Sequence, residues 1–422
     1  MARFEKGQSG NLEGRPRIKR GGEILELGIF NLAVPEVPTQ TLSSPYFSIN
    51  NKAWIDYGSD NLFPQAISAL NRQSPVHRGI LNNKVIYTQG GGFSFNENNV
   101  KLKAFVEKAN SKNESLIKVI AKNITDKYHS GNSYIEVVKG KGYVNIYHKD
   151  YTTARIGKDR TDIKLYQGDW SKIVLEKDLA TIPIYPKFKK DGNAERSIIH
   201  IKSYEAGFVD YGVADWIAAM DAAGICYKTN KWNLSRLDNS FVGSGILLVE
   251  GNFNGAKERK ELKTKILKEF TGEGKQGKLM VAVRQLGEGG KSAQSIFTPF
   301  NDVKDADWLS LHKQSIQDLI ISHNWFRSLS GLAESGQLGN TQQIRNEYQI
   351  ALNTVISIEQ KIFLEEIKKI LQNEAQIDAS SLAFINKPPI SIADLIDVKN
   401  VLTEDEQRAL LGYAPKKEIK SA

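Results

Sequence analysis

Residues 210–249 read DYGVADWIAAMDAAGICYKTNKWNLSRLDNSFVGSGILLV, and the fold class turns on them. After Asp210-Tyr211-Gly212, an apolar stripe of Trp216, Ile217, Met220, Ala223 and Tyr227 runs toward Trp232 and Leu237. That spacing predicts a helix of roughly 25 residues, nearly 40 Å long at about 1.5 Å per residue. Gly243 and Gly245 stop it, and Ile246 to Val249 reads as a strand. Downstream come a charged helix from about Ala256 to Phe270, a turn with Gly272, Gly274 and Gly277, and a second strand from Lys278 to Val283. A long helix therefore leads into a compact β-α-β insert.

Upstream, residues 50–202 read as an α+β domain. Helices are expected over Pro64–Asn71 and Ser74–Gln89, the latter stopped by Gly90, Gly91 and Gly92 before a short extended stretch at Phe93–Phe95. Ile117, Ile120, Ala121, Ile124 and Tyr128 mark another helix ending near Gly131. Alternation then predicts short strands around Tyr134–Val138, Tyr143–Tyr147, Ala154–Ile156, Ile163–Tyr166 and Ile198–Ile201, with Lys139-Gly140-Lys141-Gly142 as a turn. On the other side of the insert, Leu309, His312, Ile316, Leu319 and Ile320 predict a second long helix over Asp305–Arg327. A glycine-rich break over Ser328–Asn340 follows. A third helix is expected over Thr341–Gln372, from Ile344, Tyr348, Ala351, Val355, Ile358 and Ile362. Two short helices close the chain; Thr403 with Glu406 fits a capping box.

The chain has 422 residues, a formal charge of +9, 40% hydrophobic and 25% charged residues, which is globular composition. A single cysteine, Cys226, excludes an intramolecular disulfide framework and a multi-thiolate zinc site. No run reaches the length of a membrane span and no apolar signal core opens the chain, so a soluble protein of intracellular origin is expected, without a membrane partner. Positive charge is concentrated twice. Arg3, Lys6, Arg15, Arg17, Lys19 and Arg20 lie among glycines and a proline and read as a flexible basic arm. Lys257, Arg259, Lys260, Lys263, Lys265 and Lys268 make the insert basic, either as a solvated face or as a phosphate-contacting surface.

Catalytic motifs fail on spacing. Leu286-Gly287-Glu288-Gly289-Gly290-Lys291-Ser292 imitates a phosphate loop, but Gln285 occupies the position where the pattern needs its first glycine. His77, His129, His148, His200, His312 and His323 include no i, i+4 zinc pair and read individually as core or surface residues. No serine sits in a nucleophile elbow, and no DNA-reading motif is present. The sequence argues for no enzyme, cofactor or metal.

The order of elements resembles the portal proteins of tailed bacteriophages, in particular the HK97-type portals, over about residues 50–415. The carrying residues are Tyr211-Gly212 at the helix entry, Gly245-Ile246-Leu247 opening the insert, Phe270 to Val283, and Asp305 to Leu311. Leu338-Gly339-Asn340 and Leu402-Thr403-Glu404-Asp405-Glu406-Gln407-Arg408 with Gly412 complete the set. The resemblance implies an α+β portal fold: an arm and linker (1–49), a wing (50–202), a first stem helix (203–239), a small β-α-β clip (240–298) and a second stem helix (299–327). A tunnel loop (328–340), a long kinked wing helix (341–372) and a short helical crown (373–422) complete it.

It also implies a homo-oligomeric ring, usually of about twelve subunits, at a capsid vertex. Double-stranded DNA would pass through it for packaging and ejection without being read. The major capsid protein, the terminase large subunit and a head–tail adaptor would be partners, in the virion and, during assembly, in the host cytoplasm. Ser328, Gly331, Glu334, Ser335, Gly336, Gln337, Gly339 and Asn340 would face the channel. A loop nearly without charge, with Glu334 alone, suits that place, since each lysine or arginine there would add phosphate affinity and friction. The basic insert would dock motor and adaptor. A different head–tail connector, or a nucleotide-dependent packaging enzyme, are the competing readings.

Overall fold

The computed structural model describes residues 17–20, 23–28, 52–239, 245–251, 279–285, 295–299, 305–332 and 341–389, together with 257, 258, 260–262, 264, 265, 403 and 405. The chain divides into two compact units, one of Met1–Val37 with Ile225–Ser315, the other of Pro38–Gly224 with Ile316–Ala422.

The first unit contains a mixed five-stranded sheet. Its strands are β1 (Arg17–Arg20), β2 (Glu23–Gly28), β11 (Gly245–Gly251), β12 (Leu279–Gln285) and β13 (Ser295–Pro299), in the order β1-β2-β12-β11-β13. β11 and β12 run parallel, as a β-α-β connection requires, and Ile246 pairs with Met280. The insert also recruits strands that its own sequence did not announce. β13 pairs antiparallel with β11, and β2 pairs antiparallel with β12. The expected irregular arm is therefore corrected over residues 17–28, where Arg17, Lys19 and Arg20 lie in a strand of a hairpin. The open edge of β12 supplies the hydrogen-bonding partners that a short, charged segment lacks locally. Arg15 lies outside the described residues.

In the second unit, α1 (Phe63–Gln73) and α2 (Pro75–Gln89) each carry proline in the first turn, where its missing N–H costs nothing. α3 (Val100–Glu107), which the pattern did not reveal, is capped by the Asn99 side chain accepting from the Leu102 amide at 3.1 Å. α4 (Leu116–Ser130) buries Leu116, Val119, Ile120, Ile124 and Tyr128 and ends on Gly131 in the left-handed region, φ 75°.

β4 (Asn132–Gly140) and β5 (Tyr143–Lys149) form the expected hairpin, with Gly140 opposite Tyr143. β4 does not alternate, since Asn132 through Val137 are all buried. Glu136 is tolerated there by ion pairs with Arg196 at 2.6 Å and Lys149 at 2.8 Å. β10 (Ala194–Lys202) pairs with β4, and β9 (Lys189–Asp191) pairs with β10. A second, three-stranded sheet contains β6 (Ala154–Ile156), β7 (Asp162–Leu165) and β8 (Ala180–Pro183). The guanidinium of Arg155 is buried and donates to Asn61 Oδ1 at 2.5 Å and to the Asn61 carbonyl at 2.7 Å.

The long helix after Asp210-Tyr211-Gly212 begins as a 3-10 turn, Asp215–Ala219, and continues as α5 (Met220–Asn239). The second long helix, α6 (Asp305–Ser322), ends short of the expected Arg327. Asn324, at φ 48°, occupies the left-handed region that terminates helices. The third runs as α7 (Thr341–Ala351), a π-helical turn (Leu352–Ile356) and α8 (Ser357–Glu374). That π-helical turn locally widens the third helix. β14 (Ala383–Phe384) pairs with β3 (Phe93–Ser94). The two expected terminal helices fall on residues largely outside those described.

Asp210-Tyr211-Gly212 owes its place to the junction of α4 and β4. Asp210 takes both arms of Arg160, at 2.6 and 3.1 Å, and Tyr211 stacks on Tyr57 at 4.0 Å. Gly212 donates to Asn132 Oδ1 at 2.7 Å, while a Cβ built on it would lie 2.2 Å from the Gly131 carbonyl oxygen. The two chain segments touch backbone to backbone because both residues are glycine. Gly131→Ala should therefore cost about 2 kcal/mol or more in urea unfolding, from the left-handed penalty plus the displaced Val213 carbonyl.

Candidate functional site

The glycine-rich break after α6 is held at both ends by groups that the sequence places far apart. Ser328–Ser330 forms one 3-10 turn, and Gly331 follows at φ 74°. The amide of Ser330 donates to the carbonyls of Phe326 and Arg327, each at 3.1 Å. The Ser328 hydroxyl donates to Glu347 on α7, and Gln343 donates to the other Glu347 oxygen at 2.8 Å. Ser328 and Glu347, one on each side of 333–340, are thus tied together. Beneath them Trp325, Leu329 and Tyr348 are buried, and the Tyr87 ring lies 6.0 Å from Trp325 and 5.6 Å from Tyr348.

One turn before the break, the end of α6 meets a buried polar hub. His77 Nε2 lies 2.7 Å from Asn71 Oδ1, and His77 Nδ1 lies 3.0 Å from His323 Nε2. An amide oxygen only accepts, so His77 donates from Nε2 and accepts at Nδ1 from His323. Trp216, beside the start of α5, packs edge-on to His77 at 4.2 Å and donates from its indole nitrogen to the Tyr128 carbonyl at 3.0 Å. Lys84 joins the pieces. Its ammonium donates to the His323 carbonyl at 3.0 Å, lies 3.8 Å from Asp215 and sits 4.6 Å from the centre of the Tyr128 ring. A cation on the carbonyl at a helix C-terminus, and an acid at the start of the next long helix, both complement the local helix charge.

Burial dominates the titration of this unit. It lowers Lys84 from its ordinary value, against the favourable charges of Asp215 and Glu359. His77 and His200 are pushed down to about 3 and His129 to about 4, all chiefly by burial, and His323 falls well below its usual range for the same reason. Among the described residues no group of three or more histidine, cysteine, aspartate or glutamate side chains could hold a metal ion.

The expected channel residues divide accordingly. Ser328 and Gly331 are placed at the near end of the break; Glu334, Ser335, Gly336, Gln337, Gly339 and Asn340 lie outside the described residues. Of the basic insert, Lys257, Lys260 and Lys265 are exposed helical positions, whereas Arg259, Lys263 and Lys268 lie outside the described residues. The hub was not legible, since His77 and His323 are 246 positions apart and neither carries a local motif. Lys84 interrupts the apolar face of α2, which is the one local sign that its side chain has a buried partner.

Residues 83–379 match the family described as phage portal protein, a span that includes Lys84, Trp216 and His323 of the hub, the insert and both sides of the break. The chain belongs to the phage portal protein family. Among curated proteins none matches the sequence. Solved structures similar to this portal-family chain include the neck of an empty gene transfer agent (GTA) particle computed with C6 symmetry, at 16% identity and a TM-score of 0.48, covering 84% of this chain and 95% of that one. The neck of a native GTA particle computed with C12 symmetry shares 14% identity at a TM-score of 0.48, with the same coverage. An HK97 family phage portal protein from Corynebacterium diphtheriae shares 9% identity at a TM-score of 0.44, covering 78% and 96%.

The histidines of this portal-family chain predict acid sensitivity. Folded, His77, His129, His200 and His323 stay neutral; unfolded, each takes a proton below about pH 6.5, so stability falls as the pH drops from there toward about 4. Asp126 opposes them. Burial first raises it to about 6 against the His148 contact, so the folded state holds its proton between about 3.9 and 6. Four histidines outweigh one carboxylate, so the unfolding free energy read from urea titrations should drop from pH 7 to pH 5, by about 1.4 kcal/mol per pH unit for each net proton. A flat profile would show that these side chains are solvated.

Proposed function

We propose that this chain is the subunit of an HK97-type portal, a structural ring of about twelve copies at one vertex of a phage-like capsid, through which double-stranded DNA enters and leaves. The family match over residues 83–379 carries the reading. The geometry supports it: Ser328 and Glu347 join the two sides of the glycine-rich break, and a buried hub lies beside its near end. Residues 328–340 form the channel loop in this proposal. Helices α5 and α6 form the stem, the first-unit sheet the clip, and the helix from Thr341 the element over the channel. The ring belongs to the virion and assembles in the host cytoplasm, with the major capsid protein around it.

The channel wall acts by what it withholds. With Glu334 its only charge, the loop offers phosphates no counter-ion, so DNA passes without sequence readout and without strong salt-dependent retention. The clip works in the opposite sense. Lys257, Lys260 and Lys265 are exposed on one short stretch and present positive charge to acidic surfaces on the terminase large subunit and the head–tail adaptor.

Negative-stain microscopy with light scattering on the purified chain tests the proposal: rings with a central hole wide enough for duplex DNA are expected, and a monomer that persists with capsid protein present contradicts it. Deleting Ser335–Gly339 should leave assembly intact and reduce the DNA packaged or retained per particle. Changing Lys257, Lys260 and Lys263 to glutamate should weaken terminase or adaptor docking at least tenfold in a binding assay; unchanged docking would leave that patch a solvated face.

A further inference from the structure

The second unit carries a groove and a protrusion of opposite character. The groove, a recess of about 710 Å³, lies between α3, the β4–β5 turn and the end of α8. α3 turns Lys101, Ala104, Phe105 and Lys108 toward it, the i, i+3, i+4 and i+7 positions of one face. Tyr143, Val144 and Ile377 supply its apolar surface, above the largely buried ring of Phe105. Its one acid, Glu374, is already engaged, accepting from Lys139 at 2.9 Å and from the Tyr185 hydroxyl at 3.1 Å. Lys101 and Lys108 are exposed and have no ion pair among the described residues.

The protrusion is the stretch between β7 and β8. Trp170 and Leu179 pack with Trp54 and anchor its two ends. Between them Ile173 is 91% exposed and Leu175 49% exposed, followed by a 3-10 turn, Glu176–Asp178. Lys172 faces Asp169 at 3.9 Å, which leaves the exposed Glu176 and Asp178 set against Lys177 alone. An isoleucine and a leucine raised beside two carboxylates are an unstable thing to leave in water and a good match for an apolar groove edged by lysines.

The two features do not meet within one chain, since Ile173 stays 91% exposed. Trp170 lies against Arg155, and Arg155 adjoins Ile156, whose amide donates to Tyr211; Tyr211 in turn stacks on Tyr57, the partner of Asn132 at the start of β4. The groove lies at the other end of β4, around Gly140, about 26 Å from Asn132 at about 3.3 Å per residue. Trp170 and Leu179 leave only eight residues free, fixed at both ends.

We infer that residues 171–178 of one copy seat in the α3 groove of the next, with Ile173 and Leu175 against Tyr143, Val144 and Ile377, and with Glu176 and Asp178 beside Lys101 and Lys108. Different surfaces meet, so the contact is heterologous, the kind that repeats around a ring. Closure into a ring rests on the portal reading; the contact itself does not.

The test uses the full chain with Cys226→Ser, which removes its only cysteine, plus Ala104→Cys and Ile173→Cys, treated with a short bismaleimide linker and viewed by electrophoresis and negative stain. A ladder of covalent multimers, absent from either single-cysteine variant, is expected. Rings without a ladder overturn the contact and leave the portal reading standing. A ladder from open chains that never close keeps the contact and removes the portal reading; neither ring nor ladder removes both. Charge reversal gives a second readout. Lys101→Glu with Lys108→Glu should weaken assembly at least tenfold, Glu176→Lys with Asp178→Lys should do the same, and all four changes together should restore it. Failure of that restoration would overturn the assignment of the paired charges.

Discussion

A buried ammonium holds the second unit together. Lys84 lies out of water, on the carbonyl that closes α6 and within reach of the acid that opens the helical run into α5. Such a charge is costly to desolvate, and it persists because each neighbour is arranged for it: the His323 carbonyl, Asp215, the face of Tyr128 and, farther away, Glu359. Remove the ammonium and a helix-terminal carbonyl is left buried without a donor. The hub thus makes the ends of two long helices and the middle of α2 a single structural element.

From that element the rest of the arrangement follows in short steps. Trp216 and His77 fill the space beside Lys84, and His323 passes the constraint to Trp325 and Leu329, which hold the near end of the glycine-rich break. Ser328 and Glu347 carry it across to α7. Beyond the π-helical turn, α8 is fixed more firmly, with Phe363, Ile367, Ile370 and Leu371 buried and Glu359 ion-paired to Lys127 at 3.2 Å. Packing thus runs continuously from the hub through Ser328 and Glu347 into the buried face of α8.

Legibility in the sequence followed the range of the interactions. α1, α2, α4 and the start of α5 were readable because their apolar spacing and their glycine or proline boundaries are local signals. α3 was missed because its cap, Asn99, and its two buried residues make a pattern too short to stand out. The end of α6 was misplaced by five residues because Asn324 gives no warning of its left-handed conformation until neighbouring packing demands it. The arm was read as irregular because its strand exists only by pairing with β12.

By itself the sequence determined the class of fold, most of its helices and hairpins and the near absence of charge in the break, since composition, periodicity and spacing are local properties. Tertiary structure alone decided that His77, Lys84, Trp216 and His323 share one buried site, that two glycines 81 positions apart touch backbone to backbone, and that the second unit is built from both halves of the chain. Those choices depend on which surfaces exclude water together, and buried partners leave no periodic mark on either segment.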